Sequence, residues 1–130
     1  LEVYAEGKLM RDFTYIDDII EGLVRVCDRI ASPNEDWNGD EPDPASSHGP
    51  YRLYNIGNHK PVELLKFIEI IEKKVGKKAV MEMLPMQPGD VPATCADVTD
   101  LMRDTGFAPN TSLEIGVSRF IDWYRSYYNV

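Results

Sequence analysis

The chain is poor in cysteine, in histidine, in positive charge and in long apolar runs. Its only cysteines are Cys27 and Cys95, and its only histidines are His48 and His59. None of them falls at metal-ligand spacing, which argues against a zinc site and against a disulfide framework. Lys and Arg number 14 against 22 Asp and Glu, a formal charge of -8. That balance speaks against nucleic acid as a partner, because phosphate neutralisation needs clustered cations. Lys73, Lys74, Lys77 and Lys78 do cluster, but at the end of a predicted helix, where they complement its dipole in solvent. No apolar run is long enough to span a bilayer and no signal peptide is visible, so the expectation is a cytoplasmic protein without a membrane partner. No nucleophile elbow occurs, and Gly57 is followed by Asn58-His59-Lys60 where a glycine-rich phosphate loop would carry more glycines. The chain has no initiator Met and opens mid-pattern at Leu1-Glu2-Val3-Tyr4, which reads as a piece of something longer.

What is present suits one domain of 130 residues with a single core, since 43% of residues are hydrophobic and 28% charged. Glu2 to Ala5 and Leu9 to Tyr15 read as strands joined by a Gly7-Lys8 turn, a hairpin. Thr14 and Asp17 mark a helix start, after which Ile16, Ile19, Ile20, Leu23, Val24, Cys27 and Ile30 recur at helical spacing. This pattern places the Cys27 thiol in the core. Residues 32–50, rich in proline, glycine and acids, are expected to form a flexible loop that Trp37 pins to the body. Tyr51 to Ile56 reads as a strand. Pro61 suits the first turn of a helix that Gly76 ends, and Ala79 to Leu84 alternates as a strand. Asp97 is placed as the cap of a helix stopped by Gly106, and Thr111 with Glu114 as the capping box of the last helix. The expected class is α/β, with short strands and about four helices.

Three places could carry chemistry. Arg11 directly follows a strand run, and a planar guanidinium can donate paired hydrogen bonds to a pyrophosphate; it can equally pair with Asp12, Asp17 or Asp18. Gln87-Pro88-Gly89-Asp90 reads as a tight turn that aims a short carboxylate outward, toward vicinal hydroxyls such as those of a ribose, or merely caps itself. Asp17-Asp18 are adjacent residues on a helix and point apart, so dipole compensation explains them better than paired acid–base catalysis. Met81, Met83 and Met86 alternate along a strand and read as packing.

Four ordered motifs span nearly the whole chain. Met10-Arg11-Asp12-Phe13-Thr14-Tyr15-Ile16-Asp17-Asp18 resembles the "RDF/Y-x-x-V/I-x-D" segment of extended short-chain dehydrogenases/reductases of the NAD-dependent epimerase/dehydratase family. Tyr54-Asn55-Ile56-Gly57 resembles that family's "YN-[IL]-G" strand. Met86-Gln87-Pro88-Gly89-Asp90-Val91-Pro92-Ala93-Thr94-Cys95-Ala96-Asp97 is similar to its "PGDV-x-x-T-x-A-D" segment, and Gly106-Phe107 with Pro109 to its ending. Gln87, where many relatives carry Arg, makes the UDP-glucuronate 4-epimerases the nearest resemblance.

The resemblance implies a C-terminal, substrate-binding portion of a Rossmann-type enzyme. Arg11 would contact the UDP pyrophosphate and Asp90 the uridine ribose, with Gln87 facing the diphosphate or nucleotide and Thr94 near the same ligand. The implied reaction is inversion at sugar C4 through a 4-keto intermediate, with NAD carrying the hydride in the parent enzyme and none bound by this portion. The family's Gly-x-x-Gly-x-x-Gly loop and Tyr-x-x-x-Lys pair are read as absent from this chain and expected upstream, which leaves the 130 residues inactive alone. A homodimeric parent serving surface-polysaccharide synthesis is implied as well. Other epimerases, 4,6-dehydratases and decarboxylases of the superfamily stay open, as does a non-catalytic module that binds a nucleotide sugar or a protein.

Overall fold

Residues 1–130 are described by a computed structural model. Two small sheets and four helices make up an α/β arrangement. In the first sheet β1 (Glu2–Val3) runs parallel to β4 (Glu82–Met83), with Val3 opposite Met83. In the second, β2 (Met10–Arg11) runs antiparallel to β3 (Val62–Glu63), with Arg11 opposite Val62. The other edge of β2 takes a parallel bridge from Ala93. The expected hairpin is therefore absent. After β1 the chain enters a tight turn at Tyr4–Gly7, where Ala5 and Glu6 adopt left-handed φ, and each strand pairs with a distant segment.

The helices follow the predicted periodicity closely, and their ends less so. α1 spans Ile16–Cys27, with Asp17 and Asp18 in its first turn and Arg25 in its last. α2 spans Leu64–Val75 and ends at Gly76 in the left-handed conformation, as expected. Pro61 lies before β3 and not in the first turn of α2. α3 (Thr99–Thr105) also stops at a left-handed glycine, Gly106. Asp97 caps its start from one residue further out than expected, accepting the Thr99 N–H at 3.0 Å. α4 (Leu113–Tyr128) is capped by Ser112, whose hydroxyl accepts from Ile115 N–H at 3.3 Å. Thr111 is not the cap because its N–H and hydroxyl are both given to Asp18.

α2 packs on α4 and α1 on α3. The core between them is small: Val3, Leu9, Ile68, Val98, Leu101, Val117 and Ile121 are its buried apolar members. Phe13 stacks on Phe67 with ring centres 4.3 Å apart, fixing the chain between β2 and α1 against α2. α1 buries Asp18 and Gly22, not its apolar stripe. The missing side chain at Gly22 lets Ile56 and Phe107 close in, while Ile16, Ile20, Leu23 and Val24 stay half-exposed. Cys27 is likewise exposed, where the sequence pattern had placed it inside.

Residues 51–56, read as a strand, form only an isolated bridge between Arg52 and Ser46. Within the loop that precedes them, the Trp37 indole N–H donates to the Asp43 carbonyl at 3.1 Å and the ring meets His48 edge-on. Trp37 thus closes the loop on itself. Arg52 is what joins it to the body, reaching Asp43 at 3.7 Å on one side and Asp100 on α3 at 2.6 Å on the other.

Candidate functional site

β2 places Arg11 between two neighbours that come from far along the chain. Met10 N–H donates to the Pro92 carbonyl at 2.9 Å, and Thr94 N–H donates back to the Met10 carbonyl at 3.1 Å. These bonds lay the 92–94 segment along β2 and bring Asp90 to the guanidinium. Arg11 Nη2 donates to Asp90 Oδ1 at 2.7 Å, and Nη1 to the Met10 carbonyl at 2.9 Å. Both side chains are mostly covered, at 23% and 30% exposure, so the pair is less screened than a surface one.

Asp90 is held from its own side as well. Its N–H donates to the Gln87 carbonyl at 3.2 Å, closing a turn in which Gly89 takes φ 85°. Its Oδ1 also accepts the Val91 N–H at 2.8 Å. The arrangement leaves Arg11 Nε–H and further Nη hydrogens for an anion, and the second oxygen of Asp90 for a hydroxyl donor. Of the four residues singled out in the sequence, Arg11, Asp90 and Thr94 come together here. Gln87 joins them through its backbone; its side chain lies beside the Tyr4 hydroxyl.

Asp12 is the member that sequence reasoning missed. Its carboxylate accepts three backbone N–H groups, from His59 and Ala96 at 3.0 Å each and from Lys60 at 3.3 Å. Its own N–H donates to Thr94 Oγ1 at 3.3 Å. Three segments, the end of β2 with Asp12, 57–60 and 94–96, therefore meet on one side chain. Gly57 permits the approach, since a Cβ there would stand 2.4 Å from that of Ala96. The only sequence signal was the acid next to Arg11, which reads equally well as that residue's own ion-pair partner.

Tyr4 and Lys8 stand at Tyr-x-x-x-Lys spacing, so the expectation that no such pair occurs in the chain is corrected. The pair does not have the geometry for proton transfer. Residues at that spacing are direct neighbours on an α-helix, whereas this stretch is a turn with left-handed φ at Ala5 and Glu6. Tyr4 donates to Glu2 Oε2 at 2.8 Å, and that bond raises its pKa, opposite to what a general base needs. Lys8 is paired with Glu6.

The residues present do not fit a dinucleotide. A cofactor pyrophosphate needs a glycine-rich turn opening onto a free helix N-terminus, but α1 opens with Asp17 and Asp18 and α2 follows directly from Glu63. Two hollows lie apart from Arg11. One of about 390 Å³, lined by Phe13, Tyr15, Phe67, Val117 and Phe120 among others, is almost wholly apolar and offers no chemistry. The other, about 370 Å³, holds Arg52 and Asp104, which already neutralise each other at 3.4 Å.

No family model matches the chain. Relatives are nevertheless plain. It is 52% identical over 128 residues to Protein CapI of Staphylococcus aureus, covering 98% of this chain and 38% of that protein. It is 46% identical over 132 residues to a probable UDP-glucuronate 4-epimerase of Rhizobium meliloti, again 98% of this chain and 38% of the relative. Among solved structures, UDP-glucuronic acid 4-epimerase from Bacillus cereus, in complex with UDP-glucuronic acid and NAD, superposes with a TM-score of 0.76 at 27% identity. That match covers 98% of this chain and 36% of the Bacillus one. The chain thus spans well under half the length of the proteins it resembles. It belongs to the NAD-dependent epimerase/dehydratase family of extended short-chain dehydrogenases/reductases, and its sequence is similar over nearly its whole length to part of these longer relatives.

Proposed function

We propose that these 130 residues form the nucleotide-sugar side of a UDP-hexuronate 4-epimerase, with Arg11, Asp90 and Thr94 facing the UDP. The observation that carries this reading is the 2.7 Å contact that joins Arg11 to Asp90 across the width of the chain. It sets a cation suited to a pyrophosphate beside a carboxylate suited to a ribose. Charge-assisted hydrogen bonds of this kind contribute about 1.5–3 kcal/mol each. Arg11 would hold the diphosphate, Asp90 would accept from the ribose hydroxyls, and Thr94 would line the same side. The Gln87 turn would set the height of Asp90. Together they would orient the sugar for a reaction whose NAD, as the parent enzyme requires, is held by residues outside this chain.

The choice of a uronate rests on the relative at 46% identity, a probable UDP-glucuronate 4-epimerase, and on Gln87, since the Arg11–Asp90 pair would serve any UDP-sugar. The test is turnover by the natural gene product that carries this sequence, supplied with NAD and either UDP-glucuronate or UDP-galacturonate. Interconversion of the two is the expected result. Turnover of neutral UDP-sugars alone would move the assignment to another epimerase of the family, and UDP binding without any turnover would favour a non-catalytic module.

A further inference from the structure

We infer that Asp12 is the positioning residue of the Arg11–Asp90 site, acting through the backbone and not on the ligand; this rests on the nucleotide reading given above. Asp12 spends its carboxylate entirely on backbone donors. One oxygen takes His59 N–H and Ala96 N–H, and the other takes Lys60 N–H. Neither oxygen is left to face a substrate with a full set of lone pairs.

What the three bonds achieve is positional. β2 contributes only two residues, and two residues cannot fix the angle of an Arg side chain against a separate segment. Asp12 follows Arg11 directly and grips Ala96, while its N–H is gripped by Thr94. The chain on both sides of Thr94 is thereby locked to the residue after Arg11. The third and fourth contacts reach a strained corner, because His59 sits at φ 57°, a conformation that side-chain-bearing residues adopt at a cost. Asp12 holds that corner by accepting the N–H of His59 and of the residue after it. The His59 ring adds its own bond, Nδ1 to the Ala96 carbonyl at 2.7 Å, which closes the ring of contacts.

An Asp that acts through Arg11 has a signature that a merely stabilising Asp lacks. Replacing it by Asn keeps shape and volume but leaves one acceptor oxygen for three donors and removes the charge. The experiment is calorimetric titration of UDP into the natural gene product, in four forms: wild type, Asp12→Asn, Arg11→Ala and the double variant. Asp12→Asn is expected to raise the Kd for UDP on the order of tenfold. KM for the nucleotide sugar should rise by a similar factor and kcat should change far less. In the Arg11→Ala background the same substitution should add less than about twofold, since the group being positioned is gone.

A folded Asp12→Asn protein that binds UDP like wild type, while Arg11→Ala binds weakly, would overturn the positioning role and leave the nucleotide site standing. Equal effects of Asp12→Asn with and without Arg11 would also overturn it, showing a general structural role. Wild-type binding by Arg11→Ala would sink the nucleotide reading itself, and the inference with it. Where Asp12→Asn does not fold, Gly57→Ala decides. Its new methyl would stand 2.4 Å from Ala96 Cβ and 3.0 Å from Asp12 Oδ2, so it must open the contact between the Asp12 carboxylate and the Ala96 segment while leaving Arg11 itself unchanged; wild-type UDP affinity in that variant would overturn the inference.

Discussion

Asp18 and Thr111 hold each other across almost the full length of the chain. Asp18 Oδ2 accepts the Thr111 N–H at 2.9 Å and Oδ1 accepts its hydroxyl at 2.9 Å; the Asn110 N–H adds a third bond at 3.2 Å. Asp18 is 8% exposed. Its role is to pin the chain entering α4 against the first turn of α1. Asp18→Ala would strand two backbone donors in a buried place, at a cost of about 2–3 kcal/mol. Chemical denaturation should show this as a lower midpoint with unchanged slope. A loss under about 0.5 kcal/mol, the size of a surface substitution, would contradict it.

The same contact shows what the sequence could and could not disclose. Helix positions were legible because apolar spacing and terminal glycines are local signals, and α1, α2, α3 and α4 all appear near their predicted places. Strand pairing was not. β1 and β2 are each two residues long, and their partners lie at β4 and β3, so no turn chemistry announced them. Asp18 and Thr111 looked like a dipole-compensating acid and an N-cap because each fits its own neighbourhood; only the tertiary fold shows that they bind one another. Arg11 and Asp90 were singled out by residue chemistry and family motifs, and Gln87 and Thr94 by the motifs, whereas Asp12 escaped because an acid that binds backbone leaves no pattern in sequence.

Arg52 joins the loop before it to α3. Its guanidinium reaches Asp43, Asp100 and Asp104 and lies 5.6 Å from the Tyr54 ring centre, while Tyr54 itself donates to Asp104 at 2.9 Å. Arg52→Met keeps the aliphatic bulk and removes every ion pair. Limited proteolysis should then cut residues 32–50 about tenfold faster, with little change in global stability, because the loop opens as a local unit. Unchanged cleavage would mean that the bonds within the loop, from Trp37 to Asp43, from Asn34 to Ser47 and from Leu53 to Ala45, hold it closed without Arg52.

Glu72 gives a pH-dependent contribution whose sign follows from its partners. The Lys78 ammonium and then the Ala79 N–H hold its carboxyl below the usual glutamate value. A carboxylate lowered on folding stabilises fully above its unfolded pKa and loses that effect as pH falls through the folded value. Glu72→Gln should therefore lower the urea midpoint most near neutral pH. The gap from wild type should close as pH drops from about 5 to about 2. A gap that stays constant down to the acid limit would show that the contact acts through shape and not through charge.

Arg11 and Asp90 can be separated by choice of ligand. Asp90→Asn removes the charge that neutralises Arg11 and weakens acceptance from ribose hydroxyls. UDP affinity should fall while affinity for inorganic pyrophosphate holds or rises. Arg11→Lys should weaken both on the order of tenfold, because a point charge replaces a planar fork. If Asp90→Asn weakened pyrophosphate as much as UDP, the ribose role would be lost and Asp90 would serve only to hold Arg11.

The surface area makes a prediction about the 130-residue chain in isolation. It exposes 9107 Å², where a folded monomer of this mass exposes about 7,000 Å². The excess, about 2,000 Å², is the size of one side of a large permanent interface. It is also apolar in the wrong places: Ile16, Ile20, Leu23 and Val24 line one face of α1, and Tyr51 and Leu53 are half-exposed too. A contiguous face of that kind associates in water. Light scattering coupled to gel filtration should give a mass above 14.8 kDa at tens of micromolar, with UDP bound only weakly. Ile20→Lys with Leu23→Lys should return the mass to the monomer without unfolding, since neither side chain is in the core. A sharp monomer that binds UDP with a Kd on the order of 1 μM would contradict this, because such a chain would have to hide the α1 face by a rearrangement that these helices do not show.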